Sequence, residues 1–109
     1  MDIHFNTVHI LIKEDELATY EEKLQKKYGI YDFAKKIDVK INQIHPGTIE
    51  VSLNLQVEKG APMHAADTDN VISRAFNNAV KKLNKQLEKY KDTHYRSSRK
   101  SDITTITDL

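Results

Sequence analysis

Cysteine is absent from this 109-residue chain, and glycine occurs only three times. Without a thiol there is no disulfide scaffold, no thiol nucleophile and no zinc site built on cysteine. The chain contains no G-x-x-x-x-G-K-[ST], no G-x-G-x-x-G and no G-x-S-x-G, so phosphate-cradling loops and nucleophile elbows are excluded. No stretch approaches the roughly 18 consecutive apolar residues of a membrane span. Met1-Asp2-Ile3-His4 has neither the basic start nor the apolar run of a secretory signal. A cytoplasmic protein without a membrane partner is the expectation.

What is present is a mixture of 39% hydrophobic and 30% charged residues, enough for one thin core built from amphipathic elements. Net charge is +1, but it is unevenly distributed. Between Val71 and Lys100 nine basic residues (Arg74, Lys81, Lys82, Lys85, Lys89, Lys91, Arg96, Arg99, Lys100) face two acidic ones, Glu88 and Asp92. That segment carries +7, which leaves −6 on the rest of the chain. A basic segment on an acidic body fits a polyanion-binding face; a well-solvated helix is the plainer account.

Hydrophobic periodicity sets the elements. Ile3 and Phe5 alternate with His4 and Asn6 as a short strand. Leu17, Tyr20, Leu24 and Tyr28 recur every three or four residues and predict a helix from Glu14 to Tyr28, stopped at Gly29. Residues 30–35 read as a turn or short helix. Ile37, Val39 and Ile41 form one face of a second strand, His45-Pro46-Gly47 a turn, and Ile49, Val51, Leu53, Leu55 and Val57 one face of a third. Met63 to Ala66 is a fourth strand. Thr68, Asp69 and Asn70 are good N-cap residues, so a long helix is expected to begin near them, with the apolar stripe Ile72, Ala75, Phe76, Ala79, Leu83, Leu87 and Tyr90. On a helical wheel Lys81, Lys82, Lys85 and Lys89 lie within about 80° of Arg74, a ridge running roughly 22 Å. Residues 1–92 are thus expected to be one α+β domain with a β-α-β-β-β-α order. Its four-stranded sheet carries two helices on one face, and residues 93–109 form a basic, then polar, flexible tail.

Other chemistry is weakly supported. His4, His9, His45, His64 and His94 fall at no metal-ligand spacing, and no metal or other cofactor is expected. Asp67 and Asp69, beside a helix start, read as caps and dipole partners rather than an acid–base pair. Tyr20, Tyr28 and Tyr90 sit on apolar stripes and belong to the core, leaving Tyr31 and Tyr95 as candidates for stacking on bases. Lys23, Lys26 and Lys27 form a second basic group on the first helix, where Glu22 can pair with Lys26. With both helices on one sheet face, these lysines and the ridge would make one patch that meets phosphates without reading sequence.

The run Met63-His64-Ala65 through Asp69-Asn70, then Ala75-Phe76-Asn77-Asn78, then Lys82-Leu83-Asn84-Lys85-Gln86-Leu87-Glu88-Lys89-Tyr90-Lys91, resembles the ribosome hibernation-promoting factor and ribosome-associated inhibitor family. That family has a K-L-x-R-Q-L-x-K-x-K pattern where this chain has K-L-N-K-Q-L-E-K-Y-K, and the likeness is collinear over residues 3–66. It implies a fold like that of double-stranded RNA-binding domains. It also implies a stress-response factor that binds small-subunit ribosomal RNA where mRNA and tRNA otherwise sit, inhibiting translation by occupancy. The counterparts of the family's basic residues are Lys82, Lys85, Lys89 and Lys91, and on the first helix Lys23, Lys26 and Lys27. Arg74, Lys81 and Arg96 enter from the wheel and the charge count. Three positions depart from the pattern: an acidic opening of the first helix (Glu14, Asp15, Glu16), Lys85 in place of the usual arginine, and Thr7 where glycine is common. Some 18 residues beyond Lys91 are too few for the dimerising domain of the long forms, so a short form is expected. The alternatives are a generic double-stranded RNA-binding domain, a protein-interaction module using the polar sheet face of Glu50, Ser52, Asn54 and Gln56, and, least supported, an enzyme with a small-molecule substrate.

Overall fold

A computed structural model describes residues 1–92. Its elements are β1 (Asp2–Val8), α1 (Glu14–Tyr28), β2 (Ala34–His45), β3 (Thr48–Val57), β4 (Met63–Asp69) and α2 (Ile72–Lys91), in one sheet of order β1-β2-β3-β4. β1 runs parallel to β2 because α1 carries the chain back across the sheet, whereas the short turns after β2 and β3 make the remaining pairs antiparallel. Gly47 supports the tighter of those turns at φ 78°, a conformation that costs glycine little. The expected tail, with His94, Tyr95, Arg96, Arg99 and Lys100, lies outside the described residues.

Alternation sorts the sheet into two faces. Ile37, Val39 and Ile41 of β2 and Val51, Leu53 and Leu55 of β3 are buried under the helices. The opposite side pairs Asp38 with Asn54, Lys40 with Ser52 and Asn42 with Glu50, so it stays hydrophilic. Helix residues Tyr20, Leu24, Tyr28, Ala75, Phe76, Ala79, Val80, Leu83 and Leu87 complete the core. The Tyr20 and Phe76 rings, 4.5 Å apart between centroids, join the two helices. At roughly 25 cal/mol per Å² of buried apolar surface, this shared layer is what holds short elements together.

Two local expectations are corrected, and a third that was left open is resolved. The segment expected as a turn or short helix is a turn only, closed by Ala34 N–H donating to Tyr31 O at 3.2 Å, after which β2 starts at Ala34 and continues to His45. β4 extends past Ala66 to Asp69, because Asp67, Thr68 and Asp69 pair with Val51, Glu50 and Ile49 of β3. Thr68, Asp69 and Asn70 therefore do not cap α2: the residue at its N-cap is Val71, and no side chain caps it. Asp69 instead accepts the Val71 N–H at 3.1 Å and closes the corner between strand and helix.

Candidate nucleic-acid interface

α2 has three flanks, and its sequence assigns a role to each. The flank towards β4 carries Lys82 and Gln86. Gln86 accepts the His64 N–H at 3.2 Å and donates to the His64 carbonyl, so one side-chain amide occupies both outward-facing backbone groups of an edge residue. Lys82 donates to Ala66 O at 3.2 Å and lies 3.7 Å from the Asp67 carboxylate. The flank towards α1 carries Asn77, Val80 and Asn84, and the Tyr28 hydroxyl donates to Asn84 Oδ1 at 2.7 Å. Between the two flanks, on the side away from the sheet, the wheel places Arg74, Lys81, Lys85 and, leaning towards β4, Lys89.

The basic residues thus separate into two sets. Arg74 sits 3.9 Å from Asp69, Lys26 3.8 Å from Glu22, and Lys82 beside Asp67. Lys91 meets Glu88 at 3.5 Å and lies over the Tyr31 ring, 5.2 Å from its centroid. A hydrogen bond from the ammonium to the Tyr31 hydroxyl raises the Lys91 pKa. Lys23, Lys27, Lys81, Lys85 and Lys89 are exposed and make no ion pair among the described residues; Lys23 only approaches the Tyr20 ring, at 6.0 Å.

Asp67 and Asp69, read from the sequence as caps, are counter-charges to Lys82 and Arg74 instead. Tyr31, left open for stacking on a base, is stacked against Phe33 at 5.0 Å and engaged by Lys91. Tyr20 and Tyr28 are core residues as expected, and burial raises the pKa of both; that of Tyr20 reaches about 12, with Glu16 adding to the effect. Among the described residues no group of three or more histidine or acidic side chains is placed to hold a metal, and no helix is long and apolar enough to cross a membrane.

The two helices do not close against each other along their outer side. They leave an open groove of about 510 Å³ lined by Lys23, Leu24, Lys26, Lys27, Phe76, Asn77 and Val80. All three basic residues expected from the first helix therefore stand at this groove, beside the outer ridge of α2. Val80 was not singled out in the sequence, since it lies off the strict three-and-four stripe, and Asn77 entered only within the run Ala75-Phe76-Asn77-Asn78 that carries the family resemblance.

Residues 3–94 match the family described as Sigma 54 modulation protein / S30EA ribosomal protein. No curated protein matches the chain by sequence search. Among solved structures, a ribosomal subunit interface protein from Coxiella burnetii superimposes with a TM-score of 0.68 at 21% identity, over 81% of this chain and 97% of that one. The N-terminal domain of Protein Y from Thermus thermophilus gives a TM-score of 0.71 at 16% identity, over 83% and 99%. At such identities the structural likeness establishes the β-α-β-β-β-α fold.

Proposed function

Because the chain belongs to the Sigma 54 modulation protein / S30EA ribosomal protein family, we propose that it is a cytoplasmic ribosome stasis factor. It docks on small-subunit ribosomal RNA through the outer side of its two helices and inhibits translation by occupying the path of mRNA and tRNA. No chemistry is involved. The observation that carries this reading is the set of exposed lysines that form no ion pair among the described residues: Lys23 and Lys27 on α1, Lys81, Lys85 and Lys89 on α2. Like charges crowded on one side repel one another, and phosphates with their counterions released are the partner that relieves this. Lysines act as point charges on phosphates, so the subunit is positioned by shape and charge and not by a base code.

Lys82 and Arg74 contribute less to this surface than Lys85 and Lys89, since Asp67 and Asp69 already neutralise them. The test is co-sedimentation of the protein with isolated small subunits across a salt series, beside a K85E/K89E variant. Saturable binding that weakens steeply with salt, and is lost in the variant at unchanged helix content, is the expected result. Full binding by the variant would remove the ridge from the interface. Absent or salt-insensitive binding by the unaltered protein would overturn the RNA-docking reading and favour a protein partner.

A further inference from the structure

The two edges of the sheet are finished differently. At β4, α2 overhangs the edge: Met63 and Ala65 are 7% and 4% exposed, and Gln86 and Lys82 bond to backbone groups of His64 and Ala66. At β1 the apolar layer stops short. Ile3 and Phe5 are only partly buried, although Ile37 and Val39, their partners in register, are 0% and 1% exposed. Among the described residues no side chain bonds to the backbone of Asp2–Val8, and the strand has no lysine, proline or bulge, the usual guards of a free edge.

Charge at this edge is as one-sided as on α2, with the opposite sign. Residues 1–22 hold Asp2, Glu14, Asp15, Glu16, Glu21 and Glu22 against Lys13, a net −5 of the −6 outside the basic segment. At 100° per residue Glu14, Glu21 and Gln25 fall within about 40° of one another on α1. Gln25 donates to Met1 O at 2.9 Å, so this flank is turned to β1, while Lys23 and Lys27 occupy the flank turned to α2. Asp2, Glu14 and Glu21 form no ion pair among the described residues.

We infer that β1 accepts an added strand from a basic protein segment of the docked small subunit, an extended chain whose apolar residues cover Ile3 and Phe5 and whose cations meet Glu14 and Glu21. The inference rests on the docking proposed above and gives that complex a protein contact beside its RNA contact. A strand is the shape that an open ladder selects, because backbone groups hold it and alternate side chains set its register. Charge selects its chemistry. Glu21 stands one helix width, roughly 10–12 Å, across α1 from the lysine flank. That is little more than the screening length of ~8 Å at physiological salt, so a bare acid there opposes phosphate docking. Cations of a protein segment remove this opposition, whereas RNA at the edge adds to it. A second copy paired through β1 would set the same acidic flanks against each other.

The chain has no cysteine, so N6C, exposed at this edge, carries a photo-crosslinker at one position only. On sedimented small subunits the expected product is a crosslink to a subunit protein, destroyed by protease and resistant to ribonuclease. Crosslinks only to RNA or to a second copy of the chain, no crosslink at all, or equal protein crosslinking from T68C on β4 would overturn the assignment and leave the docking intact. Failure of the unaltered protein to sediment with subunits would overturn both. The variant E14Q/E21Q gives a second readout with a definite sign. Acids that grip a basic segment make its subunit binding weaker, by about fivefold for two part-exposed pairs, at unchanged helix content. E21Q alone, away from the helix start, should act in the same direction. Unchanged or tighter binding by these variants would overturn the inference, because acids that face only RNA are better removed.

Discussion

Gln86 fastens α2 to the free edge of β4, and replacing it tests how the helix that carries the basic ridge is held. The side chain accepts from His64 N–H and donates to His64 O, so Q86A removes two hydrogen bonds at once. A net contribution of about 1 kcal/mol per bond applies when the freed groups are buried. His64 is exposed, so water recovers part of the loss, and the cost for the pair is about 1–2 kcal/mol. In urea, with a slope on the order of 2 kcal/mol per molar, the unfolding midpoint should fall by roughly 0.5–1 M. Q86E sharpens the test. Its carboxylate still accepts from His64 N–H but has no hydrogen for the carbonyl, which repels the charge. Q86E should thus be less stable than the unaltered protein at pH 7, compared by urea unfolding under the same conditions. A Q86A midpoint equal to that of the unaltered protein, or a Q86E variant of full stability at pH 7, would refute the account of this bridge.

Two further expectations concern charge. D67N frees Lys82 from its counter-charge; stability should barely move, because such part-exposed pairs are screened by water and salt. Subunit binding should tighten and its log–log salt slope should steepen by about 0.9, readable in the same co-sedimentation series. At the alkaline end, Tyr20 ionises at about 12 against an ordinary 10.0. Its neutral form is therefore worth stability that is complete below pH 10.0 and lost as pH rises through about 12, with Tyr28 acting in the same direction. Phenolate absorbance should accordingly show Tyr20 and Tyr28 titrating above the ordinary 10.0 and together with unfolding.

The elements were legible where one period ran uninterrupted. Leu17, Tyr20, Leu24 and Tyr28 placed α1 at its observed bounds, and the ten alternating residues of β3 left no second register. Boundaries failed where side-chain chemistry competed with pairing. Thr68 and Asp69 are good caps by type, yet β3 still offered partners opposite them, and ladder hydrogen bonds kept both in the strand. The low glycine count and missing cysteine removed whole classes of site, a conclusion that needs no coordinates.

Amino-acid sequence by itself determined the two-faced sheet, the two amphipathic helices and the concentration of positive charge on the second, because periodicity and charge are local properties of a chain. Which of those charges remain available was decided only in three dimensions. A wheel places Lys82 and Lys85 on one ridge, but β4 runs beside one flank of α2 and α1 beside the other. A lysine within reach of Asp67 is paired with it, whereas Lys85, three residues on, forms no ion pair among the described residues. The groove between the helices has the same origin: its walls come from residues some fifty positions apart, such as Leu24 and Phe76, and their meeting is set by how both helices pack on one sheet.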